Sequence, residues 1–280
     1  MNAKELHCRD RIIDFSTGPV IMGIINVTPD SFSDGGRTDH LSDAIRMLEE
    51  GATILDIGGE STRPGAIPIT ADEEWARIGP VLHAIAHAKL DVILSVDTSK
   101  AEVASKALKA GVHIVNDITA LADPDMLQAV GEHHAGIVLM HMRGTPQAMQ
   151  TGEIYYENVL EEVRDFLVTR AEYFMACGGK KNQIVLDPGI GFGKTTAHNI
   201  ELSKHLDVFV QTGFPVLYGP SRKRFLGEIT GRKNPDERDI ATATACAFAA
   251  TSGVQIMRVH NVKATQDAMR VGLLLTKQAP

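Results

Sequence analysis

At 280 residues, with 44% hydrophobic and 22% charged side chains, the chain has the composition of a folded globular protein rather than a disordered one. Its length suits one (β/α)8 barrel better than two independent cores. The formal net charge is -7 and there is no run of Lys and Arg, which excludes the electrostatic footprint of a nucleic-acid binder but not an anionic small molecule held by a few local cations.

Three cysteines, Cys8, Cys177 and Cys246, lie far apart and form no CxxC pair. This argues against a disulfide scaffold or a zinc cluster and for a reducing compartment. Lys4, Glu5, Arg9, Asp10, Arg11 and Asp14 interrupt any apolar leader, and no stretch reaches the ~18 apolar residues that cross a bilayer. The expectation is a cytoplasmic protein with no membrane partner.

In chain order, residues 7–14 read as a hairpin turning through Ser16-Thr17-Gly18-Pro19 and closing the bottom of a barrel. Eight short β-branched runs follow, at 20–25, 53–57, 92–96, 113–115, 136–140, 183–186, 215–218 and 255–259. Helical periodicity lies between them, at 41–50, 71–88, 100–110, 125–133, 158–177, 197–205, 236–252 and 262–276. Parallel strands need crossover helices, and eight strand–helix units close into a TIM barrel. The expected architecture is α/β, a single domain over 1–280; an open doubly wound sheet is the alternative that eight units disfavour. Gly51 and Gly111 follow helices where a left-handed cap is wanted. Asp123-Pro124 reads as an N-cap followed by proline at the first helical position.

The apolar strands end in side chains that are costly to bury unless they serve a ligand or a partner. These are Asn26, Asp56, Asp97, Asn116, Asp187, Arg258 and His260. Alternation puts residues i and i+2 on one face, so each shares a face with the apolar residue two places earlier, and Arg258 faces with His260. Any one could be a strand-end cap. Seven together at the C-terminal face of a barrel point to a site.

The loops after the first two strands, 26–36 and 58–65, are rich in glycine and hydroxyl groups and suit a lid over an anion. The segment Asp187-Pro188-Gly189-Ile190-Gly191-Phe192-Gly193-Lys194 fails the Walker A pattern at Pro188 and the dinucleotide fingerprint at Lys194. It suits a glycine-rich wall beside a flat ligand. Arg222, Lys223 and Arg224 would bring three cations to the mouth, and an anionic or carbonyl partner is expected for them because basic groups are unfavourable at a helix start. His83 and His87, lacking the Glu of a zincin, read as surface residues; Met142 and Met149 read as packing, while Met140 could floor a pocket.

Taken together, the 26–36 loop, Leu55-Asp56-Ile57-Gly58-Gly59-Glu60-Ser61-Thr62-Arg63-Pro64-Gly65, Ser95-Val96-Asp97-Thr98, Val115-Asn116-Asp117-Ile118, Leu186-Asp187-Pro188-Gly189-Ile190-Gly191-Phe192, Ser221-Arg222-Lys223 and Arg258-Val259-His260-Asn261 resemble the dihydropteroate synthases, a pterin-binding TIM-barrel family. The resemblance runs in order from about Val20 to about Asn261. Position 224 is Arg where some relatives carry Ser, which touches the p-aminobenzoate edge.

The resemblance implies a transferase of folate biosynthesis and sulfonamide target, joining p-aminobenzoate to a dihydropterin diphosphate with release of pyrophosphate. It implies that Asp97, Asn116, Asp187, Lys223, Arg258 and Met140 bind the pterin, with Asp56 in support. It assigns Asn26, Thr62, Arg63, Arg258 and His260 to the diphosphate, and Mg2+ to Asn26 and phosphate oxygens. It gives Phe32, Pro64, Phe192 and Ser221 to p-aminobenzoate. Asn26, Asp34, Arg63, Lys223, Arg258 and His260 form the implied catalytic set. A homodimer is implied as well. A pterin-binding methyltransferase would share the pterin-reading residues but has no reason to keep the anion-binding set. A non-catalytic pterin-binding paralogue has no reason to keep both loops.

Overall fold

The computed structural model describes residues 3–28, 40–63 and 65–276. A hairpin, β1 (Glu5–Cys8) and β2 (Arg11–Asp14), precedes eight strands: β3 (Val20–Asn26), β4 (Ile54–Gly58), β5 (Ile93–Asp97), β6 (Ile114–Asp117), β7 (Gly136–Met140), β8 (Ile184–Asp187), β9 (Leu217–Tyr218) and β10 (Ile256–Val259). The helices are α1 (His40–Glu49), α2 (Ala71–His87), α3 (Ala101–Lys109), α4 (Met126–His133), α5 (Val159–Ala176), α6 (Thr196–Lys204), α7 (Asp207–Val210), α8 (Arg224–Thr230), α9 (Asp239–Thr251) and α10 (Val262–Leu275).

The eight strands pair in the order β8-β7-β6-β5-β4-β3-β10-β9, all parallel. A parallel bridge between Leu186 and Val216 joins the two ends, with Leu186 N–H donating to Pro215 O at 2.9 Å, and so closes a TIM barrel. The predicted seventh strand begins later than 215 because Pro215 has no N–H to give to a ladder.

Both faces of these strands are apolar, as a parallel sheet covered on both sides requires. Outward residues such as Ile21, Leu55, Val96 and Leu139 pack beneath the helices. Inward, one residue from each barrel strand (Met22, Ile54, Ile93, Ile114, Val138, Val185, Leu217 and Ile256) forms a second cluster with Leu6, Cys8, Ile13 and Phe15. The hairpin therefore closes the N-terminal end of the barrel. Arg9 fastens it there, its guanidinium donating to Leu108 O at 2.7 Å and Val112 O at 2.9 Å.

Three local expectations are corrected. The hairpin reverses at Arg9-Asp10, with Arg9 in the left-handed region at φ 58, while Ser16 and Thr17 lie in a 3-10 turn that Asp14 initiates. Asp123 does not cap α4; its carboxylate accepts from Ala101 N at 2.9 Å and so caps α3 from the neighbouring loop. The predicted helix over 236–252 starts at Asp239, after a 3-10 turn at Pro235–Arg238, and α7 and α8 are additional. Gly51 and Gly111 do adopt left-handed φ, at 105 and 104.

Candidate active site

The inward register continues past the apolar layer to the C-terminal mouth. Asn26, Asp56, Asp97, Asn116, Met140, Asp187 and Arg258 all follow the pleat on the inner face, and His260 follows Arg258 by two. Asp56 is fully buried and Asn116 nearly so. Asp56 Oδ2 accepts from Arg258 Nε at 2.6 Å and from Asn116 Nδ2 at 3.0 Å, while Arg258 Nη2 donates to Asp97 Oδ2 at 2.6 Å. Burial works against the Arg258 charge, and Asp56 and Asp97 outweigh it, so its pKa is raised. Burial pushes the Asp97 carboxyl up, opposed by Arg258 and reinforced by Asp56.

Asp56 Oδ1, Asn116 Oδ1 and Ser95 Oγ are buried here without a protein hydrogen-bond partner. Buried polar atoms are rarely left so. Three at one barrel mouth mark a surface shaped for a polar ligand.

The β8 side is a glycine-built wall. Asp187 Oδ1 accepts from Gly189 N at 2.7 Å. Gly189 has φ +66, and a Cβ there would lie 1.9 Å from His141 O, so glycine is required. Burial raises the Asp187 carboxyl, and the Lys223 ammonium opposes it. Lys223 donates to Ile190 O and sits 4.6 Å from the centre of the Phe192 ring, a cation–π contact. Burial pushes Lys223 down to about 8, with Asp187 pulling the other way.

After β10, His260 is held by Ser221, whose Oγ lies 2.8 Å from Nδ1 and accepts the His260 backbone N–H at 3.1 Å. Asn26 Nδ2 lies 3.3 Å from His260 Nε2. An amide that donates to Nε2 fixes the tautomer with the proton on Nδ1. Burial, then Arg222 and Arg258, push the imidazole down to about 3, so the ring is neutral.

The β4–α2 loop carries Thr62, half-buried, and Arg63, exposed. It is tied down by an ion pair of Glu60 with Lys100, which also reaches the buried Glu74 at 2.6 Å, and by Gly65 N donating to Pro146 O at 3.2 Å. Thr62, Asp97, Ile118 and Pro146 line a cavity of about 290 Å3. Arg63 is near enough for its charge to act on His260. Phe32, Asp34 and Pro64 lie outside the described residues.

Only one of the three expected mouth cations faces the site. Arg222, at φ 59, turns away to Asp239 at 2.8 Å and to Asp236, and Arg224 pairs with Glu228 at 2.8 Å. The expected anionic or carbonyl partners are thus carboxylates of the protein for these two and Ile190 O for Lys223. Sequence reasoning passes over Lys194, Gln150 and Tyr156, whose side chains hold the glycine wall through its carbonyls. A carbonyl partner leaves no trace in side-chain spacing.

A closed barrel with carboxylate, amide and ammonium groups on separate strand ends, a glycine wall and a neutral histidine beside an amide defines a TIM-barrel enzyme that reads a flat, polar heterocycle. The family model described as pterin binding enzyme matches residues 22–260. The dihydropteroate synthase of Haemophilus influenzae is 43% identical over 271 residues, covering 95% of this chain and 97% of its own. The Xanthomonas albilineans dihydropteroate synthase solved with 4-aminobenzoic acid superimposes with a TM-score of 0.91 at 43% identity, covering 99% of both chains. The same enzyme solved with 7,8-dihydropteroate gives 0.87 at 41% identity, again over 99% of both. The chain belongs to the dihydropteroate synthase family.

Proposed function

We propose that the barrel mouth joins 6-hydroxymethyl-7,8-dihydropterin diphosphate to p-aminobenzoate, giving 7,8-dihydropteroate and pyrophosphate. One observation carries this reading: Asp97, Asp187 and Lys223 stand on different strand ends yet are close enough to shift one another's protonation, and Asn116 joins Asp97 through Asp56 and Arg258. A pterin presents an amino-pyrimidinone edge of adjacent donors beside a carbonyl. Carboxylates at Asp97 and Asp187 accept from the donors, the Asn116 amide serves either polarity, and Lys223 donates to the carbonyl and ring nitrogen. Met140 floors the pocket, and Arg258 lies flat on the ring while Asp56 holds its Nε.

Thr62, Arg63, Arg258, His260 and Asn26 receive the diphosphate. Asn26 offers a hard amide oxygen of the kind Mg2+ takes, and a single protein oxygen with phosphate oxygens and water is an ordinary Mg2+ set. When bound, Mg2+ supplies charge neutralisation for the leaving oxygens.

The reaction is a substitution at the pterin methylene. The C–O bond breaks and pyrophosphate departs with the electron pair, its charge received by Arg63 and Arg258. The electron-rich pterin delocalises the cation left behind, aided by Asp34. The arylamine nitrogen then attacks, the C–N bond forms, and one ammonium proton is lost. A neutral arylamine is already nucleophilic, so no strong base is required. Phe192, Phe32 and Pro64 supply apolar faces for the aminobenzoate ring, and Ser221 a hydroxyl. Formation of 7,8-dihydropteroate together with pyrophosphate from the two substrates tests the reading; failure to form dihydropteroate when both are supplied overturns it.

The active unit is a homodimer acting in the cytoplasm. An apolar groove of about 800 Å3 between α6, α8 and α9 supports the dimer, with Ile240 82% and Phe248 52% exposed. Free thiols at Cys8, Cys177 and Cys246 support a reducing compartment. Light scattering that returns one chain's mass at assay concentration refutes the dimer.

A further inference from the structure

Lys194 ends the glycine-rich segment, and its side chain turns back into the protein, where it is 2% exposed. Its Nζ lies 3.0 Å from Gly189 O, 3.1 Å from Phe192 O, 3.3 Å from His141 O and 3.0 Å from His141 Nδ1. Burial keeps the His141 imidazole neutral, pushed down to about 3, so its Nδ1 can accept. Burial also pushes the ammonium down to about 7, with Asp187 opposing. Three carbonyl oxygens match the three N–H groups of an ammonium and favour the protonated form, because a neutral amine has only two N–H groups to give them.

The acceptors come from two strand ends. His141 directly follows β7, and Gly189 and Phe192 belong to the loop after β8. That loop uses left-handed φ at Gly189, Gly191 and Gly193, so its own backbone preferences do not fix it. Other side chains hold it from the loop side: Gln150 reaches Gly191 O at 3.0 Å and Lys194 O at 3.5 Å, Tyr156 reaches Gly193 O at 3.0 Å, and Asn199 accepts Gly191 N at 2.7 Å and donates to Lys194 O at 3.4 Å. Among the described residues, Lys194 is the side chain that joins two loop carbonyls to the end of the neighbouring strand. The same loop offers Ile190 O to Lys223 and the Phe192 ring beneath it.

We propose that Lys194 is a positioning residue for the pterin site: its ammonium acts as a built-in monovalent cation that gathers the carbonyls of His141, Gly189 and Phe192 and so sets the backbone on which Lys223 rests. This rests on the assignment of Lys223 to the pterin given above.

The test is Lys194→Ala, with affinity for 6-hydroxymethylpterin lacking the diphosphate measured by calorimetry. Ionic strength is set first with tetramethylammonium chloride and then with ammonium chloride. Kd is expected to rise about tenfold or more in tetramethylammonium. Ammonium, small enough to enter the space left by the side chain, is expected to recover most of it, while the unsubstituted protein responds equally to both salts. An unchanged Kd overturns the proposal, and so does a raised Kd that ammonium does not lower. Should Lys194→Ala not fold, Lys194→Met keeps the stem packing and removes only the charge. A raised Kd with Tm near that of the unsubstituted protein then supports the proposal, and an unchanged Kd overturns it. Failure of both variants to fold overturns it too, by making Lys194 a stability residue. Lys223→Ala is the control. If it keeps full pterin affinity, the pterin assignment fails and takes the proposal with it; if it loses affinity while Lys194→Ala does not, only the role of Lys194 fails.

Discussion

Arg258 on β10 and Asp97 on β5 meet across the barrel mouth, Nη2 to Oδ2 at 2.6 Å. Two strands, β3 and β4, separate them in the sheet. The contact holds one oxygen of the Asp97 carboxylate. Asp97→Ala and Asp187→Ala are each expected to weaken pterin binding by roughly 1.5–3 kcal/mol, the loss for a buried ligand donor deprived of a charged acceptor. Binding of p-aminobenzoate should suffer less. Calorimetry with each ligand decides it, and unchanged pterin affinity in both variants sinks the assignment.

Arg63 is exposed on the β4–α2 loop and near enough to His260 for its charge to act there. Arg63→Ala should therefore lower kcat, by about tenfold or more for a lost transition-state cation, with little change in affinity for a pterin lacking the diphosphate. Equal losses for the two pterins would make it a pterin residue instead.

The Lys223 ammonium, pushed down to about 8 from 10.5, gives two pH trends of opposite sign. On the proposed role of its charged form at the pterin carbonyl, KM for the pterin substrate should climb as pH rises through about 8. Folding runs the other way. The unfolded chain holds this proton up to pH 10.5, so between about 8 and 10.5 the unfolded state binds more protons and this group's contribution to stability increases with pH. Lys223→Arg should move the KM limb beyond the measurable range. A limb at the same pH in that variant would assign it to another group.

Gly189→Ala and Gly191→Ala separate backbone strain from positioning. At Gly189 a Cβ would lie 1.9 Å from a main-chain oxygen at φ +66, whereas at Gly191 it would meet the flexible Lys223 side chain at 3.0 Å with φ +85. The first should cost roughly 2–4 kcal/mol in urea unfolding and abolish pterin binding. The second should cost about 1 kcal/mol in stability and act chiefly on pterin affinity. Equal stability losses would show that the wall moves as one unit.

The barrel is legible in the sequence because its strands are apolar on both faces and end abruptly in Asp, Asn or Arg. The same endings expose the residues of the mouth. The hairpin turn misleads because Ser16-Thr17-Gly18-Pro19 carries every turn signal, whereas Arg9-Asp10 carries almost none and is held by Leu108 O and Val112 O from afar. At seven residues, α8 is too short to show a period. Arg222 and Arg224 resemble ligand cations because their carboxylate partners Asp236, Asp239 and Glu228 become neighbours only through the helices around them. Lys194 stands out in the sequence only as a mismatch to the dinucleotide fingerprint, since nothing in a sequence marks a lysine that binds main-chain oxygen.

With Leu6, Cys8, Ile13 and Phe15 packed into its lower end, the barrel has one doorway. Two substrates must enter and two products leave through it. On the proposed assignment of the pterin to Asp97, Asn116 and Asp187, its carrier is expected to go in first and the pteroate to come out last. On the same assignment, the aminobenzoate and the pyrophosphate would exchange places above it. A shallow ligand that overstays would then trap what lies beneath it, because the hairpin leaves no exit at the lower end.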